Sequence, residues 1–379
     1  ALVPMLRKQR GVYMKIAGIA LANELDRVRA GLGDLMGQEA LIRFEVVSGE
    51  YRKYQSRFRN PEAADVQEGV EFDFATNPKT EYPRGQYLAD FLTDKAVDFI
   101  TRHKDQPFFL GVGFVRPHVP FVAPRPYYAP FPYDKMVLPT KVEGDWDDIP
   151  KAGINYCTSA NMKMDIRRQK KAVGGYYASV AYMDAQVGKV LDALEQAGLN
   201  EKTIVIFTSD HGFHLGEHDF WAKVSLHEES AAVPMIISVP GKKPAVCHSL
   251  VELLDLFPTV SALCGLKVPE RLQGRNIART LDDPKHEVRT SAFSVAPARK
   301  AFLLREDKWA YIQYREDASG GIELFDMEKD PKQYTNLAQD PAHAERVAGF
   351  KAKLAMKLKE VRDNDLKALP AKPKKNRKG

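Results

Sequence analysis

Three short apolar runs constrain this chain more than any other feature. Pro107–Val115 (PFFLGVGFV), Thr203–Thr208 (TIVIFT) and Val233–Val239 (VPMIISV) are continuous rather than alternating. That is the pattern of strands buried on both faces, as in parallel sheets covered by helices. Between the first two lies Arg168–Ala197, where Tyr177, Val180, Ala181, Val187, Val190, Leu191 and Leu194 recur at spacings of three and four. The spacing predicts one long amphipathic helix, closed by Gly198. Tyr87–His103 repeats the helical rhythm with Leu88, Phe91, Leu92, Ala96, Phe99 and Ile100. Leu253–Leu263 adds a short apolar helix. Strand, helix, strand, loop, strand predicts an α/β fold with a doubly wound, mostly parallel sheet and helices on both faces.

Past residue 290 the pattern changes. Ala301–Arg305 and Lys308–Tyr314 predict a hairpin around Glu306-Asp307, and Glu323–Asp326 a further short strand. Asp340-Pro341 starts a last helix over Ala342–Val361, with Asp as N-cap and Pro in the first turn. These signals divide the chain into a poorly readable N-terminal segment 1–80, an α/β domain 81–290, a smaller C-terminal α+β subdomain 291–361 and a basic tail 362–379. The formal net charge of +6 equals that of residues 367–379 within the tail, where Lys367, Lys372, Lys374, Lys375, Arg377 and Lys378 stand with no acid among them. The body is neutral, so no nucleic-acid partner is expected. No run approaches 18 apolar residues, so no membrane span is expected either. Cys157, Cys247 and Cys264 are too few and too far apart for a disulfide framework or a zinc cluster. Cys264 ends an apolar helical run and is expected in the core.

The chemistry concentrates beyond the end of one buried run. Thr208-Ser209-Asp210-His211-Gly212 follows a strand end, where open α/β sheets bind their ligands. Asp210 offers carboxylate oxygens and His211 a ring nitrogen to a divalent cation, and Gly212 permits a sharp turn behind them. His214-Leu215-Gly216-Glu217-His218-Asp219 and Phe220-Trp221-Ala222-Lys223 add two imidazoles, two carboxylates and an ammonium. A second loop, Arg116–Pro139, holds seven prolines and many aromatics and cannot be regular structure. From these residues alone, His214 and His218 as exposed loop residues and Lys223 as a surface lysine remain open alternatives.

The whole string from Asp210 to Lys223, DHG…LGEH…WAK, resembles the sulfatases of the alkaline phosphatase superfamily, in particular the iduronate-2-sulfatase branch. Arg116-Pro117-His118-Val119-Pro120-Phe121 resembles its PH.PF loop. Gly175–Asp184 resembles its YYASVSYMD helix, and Asp255-Leu256-Phe257-Pro258-Thr259 its DLFPT segment. Glu323-Leu324-Phe325-Asp326 with Asp330-Pro331 and Thr335-Asn336-Leu337 resembles its ELYD…DP…TNL motif. The likeness covers about residues 80–340 and implies hydrolysis of sulfate esters, with a sulfated sugar as substrate. By the same resemblance Asp210 and His211 are ligands of one calcium ion. Lys223 holds a sulfate oxygen, and His118 reaches the sulfate or leaving group as a proton donor. His218 and Arg116 are weaker candidates for substrate binding.

The resemblance has a gap. The family's nucleophile is a formylglycine made from Cys or Ser in a C-x-P-S-R or C/S-x-A-x-R motif, and no such motif occurs here. Cys157-Thr158-Ser159-Ala160-Asn161 lacks both the third-position residue and the Arg. The family's paired N-terminal aspartates have no match, and Asp147-Asp148 reads as solvated surface. The expectation is a fragment, inactive as it stands, with its N-terminal portion belonging to the same protein. The alternatives are a non-catalytic relative that binds sulfated carbohydrate, and a phosphoester or phosphonate hydrolase of the same superfamily. The compartment implied is periplasmic, extracellular or lysosome-like.

Overall fold

The structure is a computed structural model that describes residues 88–296 and 300–363. The expectations for segment 1–80 and for the basic residues of the tail lie outside the described residues. Helix α1 (Leu88–His103) buries Ala89, Leu92, Ala96, Phe99 and Ile100, one stripe at spacings of three and four. Helix α2 (Ile166–Gln196) begins where Asp165 accepts a hydrogen bond from the Arg168 amide. It ends at Gly198, φ +68°, with the amides of Leu199 and Gly198 donating to the Leu194 and Glu195 carbonyls. This paired closure needs a left-handed residue, which Gly supplies without steric cost.

The run 107–115 departs from expectation. It is extended but belongs to no ladder among the described residues. Phe108, Leu110 and Phe114 pack toward α1 and α2 around Val187, Leu191 and Leu194, while Phe109 is turned outward. Among the described residues, the apolar cluster on α1 and α2 covers one face of the run.

Strand β1 (Val205–Thr208) is followed by a small hairpin of β2 (His214–Leu215) and β3 (Trp221–Ala222), then by the single-turn helix α3 (Glu228–Ala231) and strand β4 (Met235–Ser238). β1 and β4 pair antiparallel, with Thr208 opposite Met235 and Val205 opposite Ser238. The strand pairs among the described residues are antiparallel, and they include one pair of the expected α/β sheet. An unbroken apolar run reports burial on both faces but not direction. Here the connection 209–234 leaves and returns at the same end of the pair, which makes it antiparallel. Helix α4 (Leu256–Leu263) packs over β4 through Leu256 and Ile237. Cys264 caps that helix and is exposed rather than in the core.

The C-terminal part is an antiparallel meander of β5 (Ala292–Val295), β6 (Ala301–Arg305), β7 (Trp309–Tyr314) and β8 (Ile322–Asp326), backed by helix α5 (Ala344–Arg362). The expected hairpin, short strand and final helix are present; β5 was not anticipated. One sheet face sets Phe302, Leu304, Tyr311 and Leu324 against Val347, Phe350 and Leu354 of α5. Tyr311 stacks on Phe350 at 5.2 Å. The opposite face, with Leu303, Ala310, Ile312 and Phe325, packs on Leu226 just beyond the β2–β3 hairpin. The sheet therefore underpins the loop that carries the candidate site. No described helix is long and apolar enough to cross a membrane.

Candidate functional site

The Asp210–His211 turn is pinned from behind. The Thr208 hydroxyl donates to the Pro234 carbonyl at 2.9 Å, and the Gly212 amide donates to the Ser230 carbonyl at 2.9 Å. A Cβ on Gly212 would stand 2.0 Å from the Glu229 carbonyl oxygen. Glycine there is a condition of close contact between the turn and α3. Asp210 is consequently pushed outward, its side chain 57% exposed. Its carboxylate accepts from the His211 amide at 3.1 Å. His211 Nδ1 lies 2.7 Å from the Gly212 carbonyl. A carbonyl only accepts, so Nδ1 donates here, and in the neutral ring Nε2 holds the lone pair. Nε2 and Asp210 Oδ2 are 3.8 Å apart, a spacing compatible with two ligands of one divalent cation. No Lys or Arg among the described residues pairs with Asp210. The two side chains fit part of a coordination shell and no more. Calcium takes six to eight oxygen ligands, and the described residues contain no group of three or more His, Cys, Asp or Glu able to hold a metal.

Lys223 follows the β2–β3 hairpin. The Asn155 side chain donates to its carbonyl at 3.2 Å, and the Trp221 amide donates to the Cys157 carbonyl at 2.7 Å. The backbone around it is unusual: Ala222 has φ +67° and Val224 φ +90°. A β-branched residue in that region is an outlier, and such strain gathers at functional sites. The Lys223 ammonium makes no ion pair with a carboxylate among the described residues.

His118 lies on the 116–120 turn, which Arg116 staples by donating to the His118 and Pro120 carbonyls at 2.8 and 2.6 Å. Arg116, expected at the substrate, thus spends one nitrogen of its guanidinium on its own loop. His118 Nδ1 donates to the Val119 carbonyl at 2.6 Å. Burial lowers the pKa of this imidazole, and the charges of Lys223, Arg116 and His211 lower it further, against the Val119 hydrogen bond. The charges acting on this ring come from residues far apart in sequence. Nδ1 holds its proton toward the Val119 carbonyl, so donation to a leaving group would need a protonated Nε2, which the lowered pKa disfavours. Cys157 also feels Lys223, but burial outweighs that charge and holds the thiol above its usual pKa. A neutral thiol is a poor nucleophile.

His218 is a correction. Its side chain is fully buried, with Nδ1 3.1 Å from the Asp145 carboxylate, and it stacks on His227 at 4.8 Å. A side chain sealed in this way does not meet a substrate. It belongs to a buried set that the sequence reading missed: His214, His218 and His227 with Asp145, Glu323 and Tyr314. His227 Nε2 is 2.8 Å from Glu323 Oε2 on β8, and Tyr314 donates to the other oxygen of that carboxylate. His214 Nε2 lies 2.7 Å from the Ser225 hydroxyl. The signal available in sequence was a glutamate inside the apolar strand Ile322–Asp326 and three histidines within Gly212–Glu228. This set ties the Lys223 loop to the C-terminal sheet.

With this geometry in hand, likeness to known proteins is informative. A profile of the sulfatase family matches residues 46–266. A profile described as N-sulphoglucosamine sulphohydrolase, C-terminal, matches 216–363. The chain is 30% identical over 259 residues to a sulfatase of Formosa agariphila, covering 66% of this chain and 50% of that protein. It is 32% identical over 233 residues to iduronate 2-sulfatase of Homo sapiens, covering 50% and 42%. The solved structure of a phosphonate monoester hydrolase from Silicibacter pomeroyi superposes with a TM-score of 0.66 at 23% identity, over 83% of this chain and 68% of that one, a likeness of fold alone. The chain spans about half the length of these relatives.

Proposed function

Because the chain belongs to the sulfatase family, we propose that its site takes part in the hydrolysis of sulfate esters, with a sulfated sugar as the substrate. The observation that carries the reading is Lys223: an ammonium without a carboxylate partner among the described residues, on strained backbone, whose charge acts on His118. A sulfate ester carries one negative charge and spreads more onto its oxygens as the ester bond breaks. A fixed ammonium stabilises that charge. Asp210 and His211 would hold a divalent cation, calcium by family resemblance, which when bound supplies a second positive charge at the same place.

His118 does its work in two states. In the resting site its Nε2 is an acceptor. An incoming anion offsets the charges of Lys223, Arg116 and His211, which raises the imidazole pKa. The ring then takes up a proton and becomes able to pass it to the leaving alkoxide. Arg116 keeps the ring in place by fixing the His118 and Pro120 carbonyls. The compartment that goes with this reading is periplasmic, extracellular or lysosome-like, and a further N-terminal portion of the same protein would be its partner.

A second reading, a non-catalytic binder of sulfated carbohydrate, is favoured by one observation: none of the 379 residues stands in a formylglycine motif. One experiment addresses both. The full chain is titrated with 4-nitrophenyl sulfate and 4-nitrophenyl phosphate in calcium buffer, and release of nitrophenol is followed. The sulfate ester should bind, and Lys223→Ala should weaken binding at least about tenfold, as for loss of a charge-assisted contact. Release of nitrophenol from the sulfate identifies the enzyme; binding without release identifies the binder. Preference for the phosphate ester, or indifference to Lys223→Ala, refutes the sulfate site.

A further inference from the structure

Helix α2 starts with charges of the wrong sign. Arg167, Arg168, Lys170 and Lys171 occupy its first six residues, and its first turn holds no acid. Cations oppose the positive end of the helix dipole, and Arg167 and Lys171 repel one another across one turn. Helix stability does not account for them. Two have local work: Arg168 donates to the Lys163 carbonyl at 2.9 Å, and Lys170 to the Asp134 carbonyl at 3.2 Å. Arg167 and Lys171 have no carboxylate partner among the described residues. Both instead reach toward Tyr133, the guanidinium carbon 5.6 Å and the ammonium 5.8 Å from the ring centroid.

Tyr133 is 40% exposed. The loop bearing it is pressed on α2 because Gly174 has no side chain: a Cβ there would stand 2.9 Å from the Phe131 carbonyl. An exposed aromatic ring beside two cations that lack acid partners among the described residues is suited to a sulfated sugar. The ring packs on the apolar C–H face of the pyranose, and the cations meet its sulfates. The patch also has a place relative to the site. On the inner side of the same helix, Ala172, Val173 and Tyr176 pack with Val119, Phe121, Cys157 and Trp221, next to His118 and Lys223.

We propose that Tyr133, Arg167 and Lys171 form a second, anion-binding subsite for another sulfated unit of a saccharide chain whose ester lies at Lys223. This rests on the sulfate-ester reading above. Duplex nucleic acid is less well matched. Tight phosphate-backbone binding draws on some six to ten contacts spread along a groove, whereas here two cations flank one ring.

The test uses the full chain, a sulfated hexasaccharide, its desulfated counterpart and 4-nitrophenyl sulfate, with affinities measured calorimetrically. The double variant Arg167→Ala/Lys171→Ala should lose about tenfold in affinity for the sulfated hexasaccharide. It should change less than about twofold for 4-nitrophenyl sulfate. Tyr133→Ala should weaken the hexasaccharide alone, and Arg167→Lys/Lys171→Arg should restore binding. Lys223→Ala should weaken both ligands; if it weakens neither, the sulfate-ester reading fails. If Lys223→Ala acts but the double variant does not, the subsite alone is wrong. Equal losses for a single-stranded oligonucleotide, or for phosphatidylserine vesicles, would also overturn it by showing a general anion patch. A melting temperature unchanged in the double variant excludes misfolding as the cause.

Discussion

Replacing Glu323 by Gln is expected to destabilise the protein in a pH-dependent way. Glu323 and His227 are both fully buried, so their charges face little solvent. Burial alone would lower the His227 pKa. The charge and hydrogen bond of Glu323, with help from Glu229 and Asp145, more than offset this and hold it above the usual value. The neighbouring imidazoles of His214 and His218 and the Tyr314 hydroxyl complete the surroundings. An unfolded histidine titrates near 6.5. A raised folded pKa means that the native state binds the proton more tightly. The pair's contribution is therefore complete below about pH 6.5 and is lost as pH rises through the folded value.

In the Gln variant the imidazolium has no anion, and breaking such a buried pair costs about 3–5 kcal/mol. Once the ring is neutral, the amide donates to it and still accepts from Tyr314. The difference then falls to one hydrogen bond, about 1 kcal/mol. Urea unfolding followed by circular dichroism at pH 5.5 and 8.5 should show the larger gap at the lower pH. His214 runs the other way. Burial, then the charges of His227 and His218, holds its pKa well below 6.5, so it loses stability as pH falls below 6.5. Wild type and variant share this loss, and the comparison between them removes most of it. A gap equal at both pH values, or larger at 8.5, would refute the charged-pair reasoning.

Gly212→Ala should drive the Asp210–His211 turn off α3, costing about 1–3 kcal/mol in chemical unfolding. Asp255→Ala should cost about 3–5 kcal/mol. This fully buried carboxylate receives Arg289 through two nitrogens and the amides of Glu252 and Arg275, and its loss leaves the buried guanidinium with the Glu252 carboxylate at 3.7 Å. Asp255→Asn should cost less in the same urea titration, because it keeps an acceptor oxygen for one of the two amides. Phe350→Ala should cost about 3–5 kcal/mol by opening the Tyr311 stack, with the melt of α5 as the readout.

The parts of this molecule legible in sequence are those written in local period or chemistry. Helix α2 was readable because its apolar stripe and Gly198 agree, and the observed Ile166–Gln196 lies within two residues of the expected ends. The β6–β7 hairpin was readable because Glu306-Asp307 interrupts two apolar runs. Asp210, His211, Lys223 and His118 stood out by residue type and by family likeness. What stayed hidden was decided by distant partners. The antiparallel sense of β1 and β4 depends on where a long connection returns. The one-sided burial of 107–115 among the described residues depends on which neighbours it has. His218 looked like a loop histidine, yet Asp145, 73 residues away, and His227 take it inside. His227 and Glu323 are 96 residues apart, and no local pattern joins them.

The convergence of the site is best tested on His118 itself. Nuclear magnetic resonance can follow its ring through a pH titration in chelator-treated protein, as wild type and as Lys223→Met. Burial and the Lys223, Arg116 and His211 charges place the wild-type value below the ordinary 6.5. Removing the ammonium should raise it, while Arg102→Met on the exposed side of α1 should leave it unmoved. A His118 titration identical in wild type and Lys223→Met would mean that the two side chains do not share a site, and the sulfate-ester reading would fall with it.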